Sequence, residues 1–230
     1  MSINTIDSGA NCDRIHWAKG LFGMFFGAIL LAGCSALPDK PVRAVLYDFG
    51  PGELTSKPTT RQTPLPALAI DDIGTPGGAL DNQAVLYRLS YQNAQELRPY
   101  TLARWAAPPA QLIRQRLREQ LGQRRSIFDA RNGLALNRSQ NAVLPLLLRL
   151  DLEEFSQVFT APAASVGLVR LSATLIEQAT SGEKLVAQRS IVVQRPAPSV
   201  DAQGGVTALA QATDAAIEEI DTWLQQSASR

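Results

Sequence analysis

"LPLLLRLDLEEFSQVF" occupies residues 144–159. Leucine stands at every even position from Leu144 to Leu152, and the odd positions include Arg149 and Asp151. Side chains alternate across a strand, so this spacing predicts a strand with one buried face. The pattern then slips, because Phe155 and Phe159 fall on odd positions. A β-bulge near Glu153-Glu154 would return both rings to the core side. The alternative is that they form a separate exposed patch.

The neighbouring segments extend the pattern. Val166 to Gln178 and Lys184 to Arg195 read as two further strands, joined by the turn Thr180-Ser181-Gly182-Glu183. After them Val206, Leu209, Thr213, Ala216, Ile217, Ile220, Trp223 and Leu224 trace one apolar stripe of period 3.6, hence a long helix. Gly204-Gly205 before it reads as a flexible start to the helix, or as a place where a helix N-terminus captures phosphate. Upstream, Ala44 to Phe49, Ala67 to Ile73 and Ala84 to Leu89 read as strands. Gly50-Pro51-Gly52 and Thr75-Pro76-Gly77-Gly78 end the first two, and Thr55 to Pro66 reads as loop. Arg98 to Pro109, "RPYTLARWAAPP", reads as largely irregular. Pro108-Pro109 then opens a helix with Ala110, Leu112, Ile113, Leu117 and Leu121 on one side, and Gly122 suits its end. Two main helices against roughly six strands predict an α/β fold, a single-domain layered sandwich with a mixed, largely antiparallel sheet.

The N-terminus carries a different signal. Leu21 to Leu31 is a short, mostly apolar run preceded by Arg14, His16 and Lys19. A membrane-spanning helix needs about 20 apolar residues, so the run is too short to span. It has the length of a secretory signal's apolar region. Leu31-Ala32-Gly33-Cys34 resembles the bacterial lipobox, in which the chain is cut between Gly33 and Cys34 and the cysteine is acylated, with chains such as palmitate. Several acyl chains on one cysteine give a stable anchor. Ser35, where an aspartate would favour inner-membrane retention, points to the outer membrane. The expected organisation is a lipoprotein signal peptide at 1–33, the lipidated cysteine and a tether at 34–43, one domain at 44–226 and a tail at 227–230.

Loss of the signal would narrow the available chemistry. Removing 33 of the 230 residues leaves 197, enough for one core. Both charge signs balance within the signal, so the net charge stays at +1, which gives no reason to expect nucleic acid. His16, the one histidine, and Cys12 leave with the signal. Without His or free Cys there is no Ser-His-Asp or Cys-His nucleophile pair. Zinc and copper lose their best ligands, and neither a metal nor a cofactor is expected. Asp71-Asp72 and Glu153-Glu154 lie in strand-like segments, where adjacent side chains diverge, so neither pair forms one acid/base site. An enzyme is not expected. Arg114, Arg118 and Arg125 would share one helix face if the helix ran that far. An anionic lipid headgroup or an acidic partner could use them; the plainer reading is a solvated face. Trp105 is expected to fix its loop onto the sheet rather than to serve a partner.

The order of several motifs resembles the ABC-type transport auxiliary lipoprotein family, which includes the PqiC-like lipoproteins. The motifs are the lipobox, "YDFGP" from Tyr47, "LYRLSY" from Leu86, "ARWAAPP" around Trp105 and preceded by Tyr100, "LRLDLEEFSQVF" with Phe155, and "GGVTALAQATDAAIEEIDTWL" with Trp223. The resemblance implies a lipid-anchored protein on the periplasmic face of the outer membrane. It implies an accessory role in moving phospholipid or related apolar substrates, with an MCE-domain protein and an ABC permease and ATPase as partners. It also implies a mixed α/β sandwich and ring-shaped homo-oligomers, and it supplies no catalytic residues. The alternative is a structural envelope lipoprotein without a transport role.

Overall fold

Strand β6 (Leu146–Ala161) organises the sheet, because it pairs along both of its edges. The structure is a computed structural model, and it describes residues 42–52, 63–130, 144–179 and 182–228. Around β6 stand β1 (Val45–Tyr47), β2 (Leu68–Ile70), β3 (Ala84–Leu89), β4 (Arg98–Trp105) and β5 (Ile127–Asp129). The long strands β7 (Ala164–Ala179) and β8 (Gly182–Pro196) complete an eight-stranded sheet. The helices among the described residues are α1 (Ser90–Asn93), α2 (Pro109–Leu121) and α3 (Ala202–Ala228).

One edge of β6 is shared. Its start runs parallel to β2 through Leu68–Leu146 to Ile70–Leu148, and its end runs parallel to β3 through Tyr87–Gln157 to Leu89–Phe159. β5 lies parallel beyond β2, while β4 lies antiparallel beyond β3 and β1 parallel beyond β4. The other edge of β6 is antiparallel to β7, which is antiparallel to β8. The sheet is therefore mixed, with its longest pairings antiparallel.

The bulge lies at Glu153. Leu152 pairs with Leu171 and Glu154 with Arg170, so Glu153 is the extra residue. It shifts the inward positions from even to odd. Leu148, Leu150 and Leu152 before it, and Phe155 and Phe159 after it, are all buried. The aromatics belong to the core and form no exposed patch.

Both long helices cover one face. α3 packs against β6, β7, β8 and α2. Ile113, Leu117 and Leu121 of α2 and Val206, Leu209, Ala212, Ala216, Ile217, Ile220, Trp223 and Leu224 of α3 join the main core with Trp105 and Phe155. Leu147, on the opposite side of β6 from Leu148, forms a second small cluster with Ala69 and Ile176.

Four expectations need correction. Arg98 to Trp105 is a strand, not an irregular segment. Its alternation is hidden because Ala84 pairs with Arg104 while Leu86 pairs with Pro99, so β4 carries extra residues there. Arg104 steadies this irregularity by donating from Nη1 to the carbonyls of Tyr100 and Ala103, at 2.5 and 2.8 Å. Second, α1 and β5 are additional elements, too short to show a period. Third, the first main helix stops at Leu121, so Arg125 is not on it. Gly122 does end it, but with φ −65°, in the right-handed region. Fourth, α3 continues to Ala228, past the expected domain end at 226. The signal, Gly33, Cys34 and most of the Thr55–Pro66 loop lie outside the described residues, as do Thr180 and Ser181 of the expected turn.

Candidate functional site

Arg114 and Arg118 are one turn apart on α2 and share a face. Both donate to the same oxygen, Oδ1 of Asp129 on β5, Arg114 from Nη2 at 2.5 Å. Arg114 Nε also lies 3.4 Å from Asp72 Oδ1. The two arginines are thus held by carboxylates from β5 and from the segment after β2. A groove of 620 Å³ passes them, with Asp72, Asp81 and Gln111 also in its walls. What this offers a ligand is alternating charge rather than a bare basic surface.

Arg125 is separate from this pair. It follows the end of α2 and donates from Nη2 to Asp221 of α3. Its side chain is only 5% exposed. Burial pulls its pKa down, against the pull of Asp221, which raises it. The reading of three arginines on one solvated face therefore divides: two meet Asp129, and the third turns into the protein. Arg116 joins the two helices more directly, with Nε and Nη2 both on the Asp214 carboxylate at 2.7 and 3.1 Å. The sequence pattern had drawn attention to the arginines and missed their partners Asp129, Asp214 and Asp221. Asp214 and Asp221 lie 98 and 96 residues from their arginines, and Asp129, though near in sequence, sits on a three-residue strand too short to show a register.

The aromatic positions have structural places. Trp105 is fully buried and touches the Phe155 ring, with centroids 5.5 Å apart. Phe49, from the "YDFGP" segment, meets Trp105 edge-on at 5.6 Å. Tyr47 and Trp223 also pack in or against this core. Tyr100 donates its hydroxyl to Gln157 Oε1 at 2.8 Å, and Gln157 Nε2 donates to Ser165 Oγ at 2.8 Å. Gln157 is wholly buried, and these bonds satisfy it.

Gly204-Gly205 serves packing and not an anion. Gly205 lies so close to Gln157 that a Cβ would come within 2.1 Å of its Oε1. The helix start is already capped, because Asp201 Oδ1 accepts the Gly204 N–H at 2.8 Å and the Ser199 hydroxyl at 2.6 Å. These bonds hold the Asp201 carboxyl below its ordinary pKa, the Ser199 bond first. Among the described residues no group of three or more His, Cys, Asp or Glu is placed to hold a metal. No helix among them is long and apolar enough to cross a membrane.

Comparison with known proteins assigns the fold a family. The model of the ABC-type transport auxiliary lipoprotein component matches residues 47–221. No curated protein matches the sequence. Among solved structures the chain is similar to protein XCC0632 from Xanthomonas campestris, at 20% identity and a TM-score of 0.60 over 80% of this chain and 97% of that one. It is also similar to an uncharacterized protein at 14% identity and a TM-score of 0.55, over 79% of this chain and 99% of that one. At such identities these two likenesses speak for the fold, and the family match spans the sheet from β1 through most of α3. The chain belongs to the family of ABC-type transport auxiliary lipoprotein components.

Proposed function

We propose that this protein is an outer-membrane-anchored, periplasm-facing accessory lipoprotein of an ABC/MCE-type system that moves phospholipid, and that it acts by docking rather than catalysis. The family match over residues 47–221 carries this reading. The lipobox ending in Cys34 supports the anchor. Anchoring through Cys34 and a tether raises the local concentration of the domain, so modest contacts with an MCE-domain protein suffice. A homo-oligomeric ring would present several copies of one surface to that partner.

The contacts this reading uses lie at two places. Arg114 and Arg118 with Asp72 and Asp129 give a surface of paired charges, which favours orientation of a charged protein partner. Among the described residues β1 is a sheet edge; it follows the expected tether in sequence, and its Leu46 is 67% exposed. Leu102 on the neighbouring strand is also exposed. An open edge with apolar side chains suits pairing with a second strand.

The test is co-purification. The tagged full-length lipoprotein, extracted from its own membrane, is expected to bring down the MCE-domain protein and permease encoded beside it, and its deletion is expected to weaken the outer-membrane barrier. A monomer that retains no MCE protein, in a strain with an intact barrier, would overturn docking and favour a structural envelope role.

A further inference from the structure

The strand registers gather several loops at one end of the sheet. β6 turns there through Pro162 and Ala163 into β7, with Ala161 opposite Ala164. β3 ends beside it, Leu89 against Phe159, and leads into α1. β4 begins at this end, since Arg98 pairs with Tyr87 and Tyr87 with Gln157. The segment before α3 is held there too, where the Ala197 N–H donates to the Ser165 carbonyl. β1 runs parallel to β4, Val45 beside Ala103 and Tyr47 beside Trp105, so the chain enters the domain from the side on which β4 begins. α2 starts after Trp105 closes β4, so the groove of Arg114 and Arg118 lies toward the other end.

The entry end is poor in charge. Residues 90–95, 99–102, 158–166 and 197–200 carry none. Glu96 and Arg98 pair with each other at 2.6 Å, and Asp201 is taken up by Ser199 and the Gly204 N–H. Tyr91 and Val200 are exposed, as are Pro162 and Ala163 at the β6–β7 tip. Two exposed cations stand at the margin: Arg43, just before β1, and Arg195, opposite Gly167. Apolar side chains that enter a headgroup layer, with basic ones drawn to its anionic groups, give a surface affinity for lipid. Tyrosine favours the same interface.

We propose that this end of the sheet rests on the phospholipid surface that holds Cys34. The proposal rests on lipidation of Cys34 and gives the anchored domain an orientation. Tether length selects the lipid over a protein partner as the occupant. Residues 35–43 join Cys34 to the domain, at most about 32 Å of extended chain. β6 has 16 residues and so runs about 50 Å. The tether is shorter than the sheet, so the end through which the chain enters stays near the membrane. With that end down, Arg114 and Arg118 face the periplasm, where a charged partner reaches them.

Once the signal is removed, Cys34 is the one cysteine of the chain, and acylation blocks its thiol. Ala163→Cys, Val200→Cys and Gln111→Cys therefore each add a single thiol for a fluorescent dye. Gln111 is exposed at the start of α2, in the charged groove. Each processed lipoprotein is placed in nanodiscs of phosphatidylethanolamine and phosphatidylglycerol, with and without doxyl-labelled lipid. Doxyl lipid should quench the dye at 163 and 200 at least threefold more than at 111. Ala163→Glu, added to the Val200→Cys protein, should at least halve the quenching at 200. Equal quenching at the three sites, none at 163 and 200, or no effect of Ala163→Glu would overturn the proposal. Dyes at 163 and 200 that are shielded from iodide yet untouched by doxyl lipid would also overturn it, and would make this end a contact with protein. Mass measurement separates the two readings: an unacylated Cys34 overturns the anchor and this orientation together, whereas an acylated protein without doxyl quenching overturns the orientation alone.

Discussion

Gly167 on β7 lies directly beneath the α3 backbone at Ala208: a Cβ on Gly167 would come within 2.6 Å of the Ala208 carbonyl carbon. The Leu209 nitrogen would be equally close. Gly167 also pairs with Gln157, which meets Gly205 from the same helix. Two glycines thus let the start of α3 settle onto the sheet. Gly167→Ala would push against backbone, which cannot rotate away. We expect it to cost about 1–3 kcal/mol, the range for overpacking. Gly205→Ala would push into Gln157, which is wholly buried and bonded to Tyr100 and Ser165, so alanine's gain of about 1 kcal/mol over glycine inside a helix offsets only part of the cost. Chemical denaturation should find both variants less stable than wild type, with Gly167→Ala the lower because it meets backbone.

Trp105 is the centre of the aromatic core, between Phe49 and Phe155. Trp105→Ala should lower stability by about 3–5 kcal/mol, as for other large buried rings. The loss should show in the denaturation midpoint. A variant with wild-type stability that fails only to bind a partner would assign Trp105 to an interface.

The leucine alternation in residues 144–152 made β6 legible, and the odd placement of Phe155 made its bulge legible. Both are short-range consequences of strand geometry. β4 was not legible, because its irregularity between Tyr100 and Ala103 breaks the period on which strand reading depends. The arginines were visible as a spacing on α2, but Asp129 and Asp221 are partners that only the tertiary fold brings near. The glycines at 204 and 205 were visible as a pair, yet their reason lies in Ser199 and Gln157, which meet them only after folding.

Asp221→Asn tests what holds the region after α2. Arg125 is almost fully buried and stays charged, so removing the carboxylate leaves an uncompensated buried cation. We expect a loss of about 3 kcal/mol, at the lower end for breaking a buried pair because Asp221 retains some exposure. Asp129→Asn should cost less, since Arg118 and Asp129 are each about a third exposed and solvent takes up part of the charge. Added salt should change the first variant's deficit little and reduce the second's.

Reading Cys34 as the lipidation site predicts that Cys34→Ser leaves an uncleaved, unacylated precursor. Membrane fractionation and mass measurement check this. The serine variant is expected to be absent from the outer-membrane fraction and to retain residues 1–33. Wild-type processing and localisation of the variant would remove the basis for a lipid anchor.

Tyr100 gives the fold a signature at high pH. Burial, with Tyr87 and Asp201 nearby, pushes its phenol up to about 12, against about 10 for an unfolded tyrosine. The folded state therefore holds this proton after the unfolded chain has released it. Stability from this group is complete below pH ~10 and is lost as pH rises through the folded value. Ionisation would also remove the proton that Tyr100 donates to Gln157 Oε1. Tyr100→Phe removes the titrating group and should flatten that part of the profile, while losing the Gln157 bond at every pH. The measurement is the denaturation midpoint of both proteins between pH 8 and ~12, alongside phenolate absorbance. The gap between wild type and variant should narrow as pH rises. A gap that stays constant would show that Tyr100 does not titrate separately from unfolding.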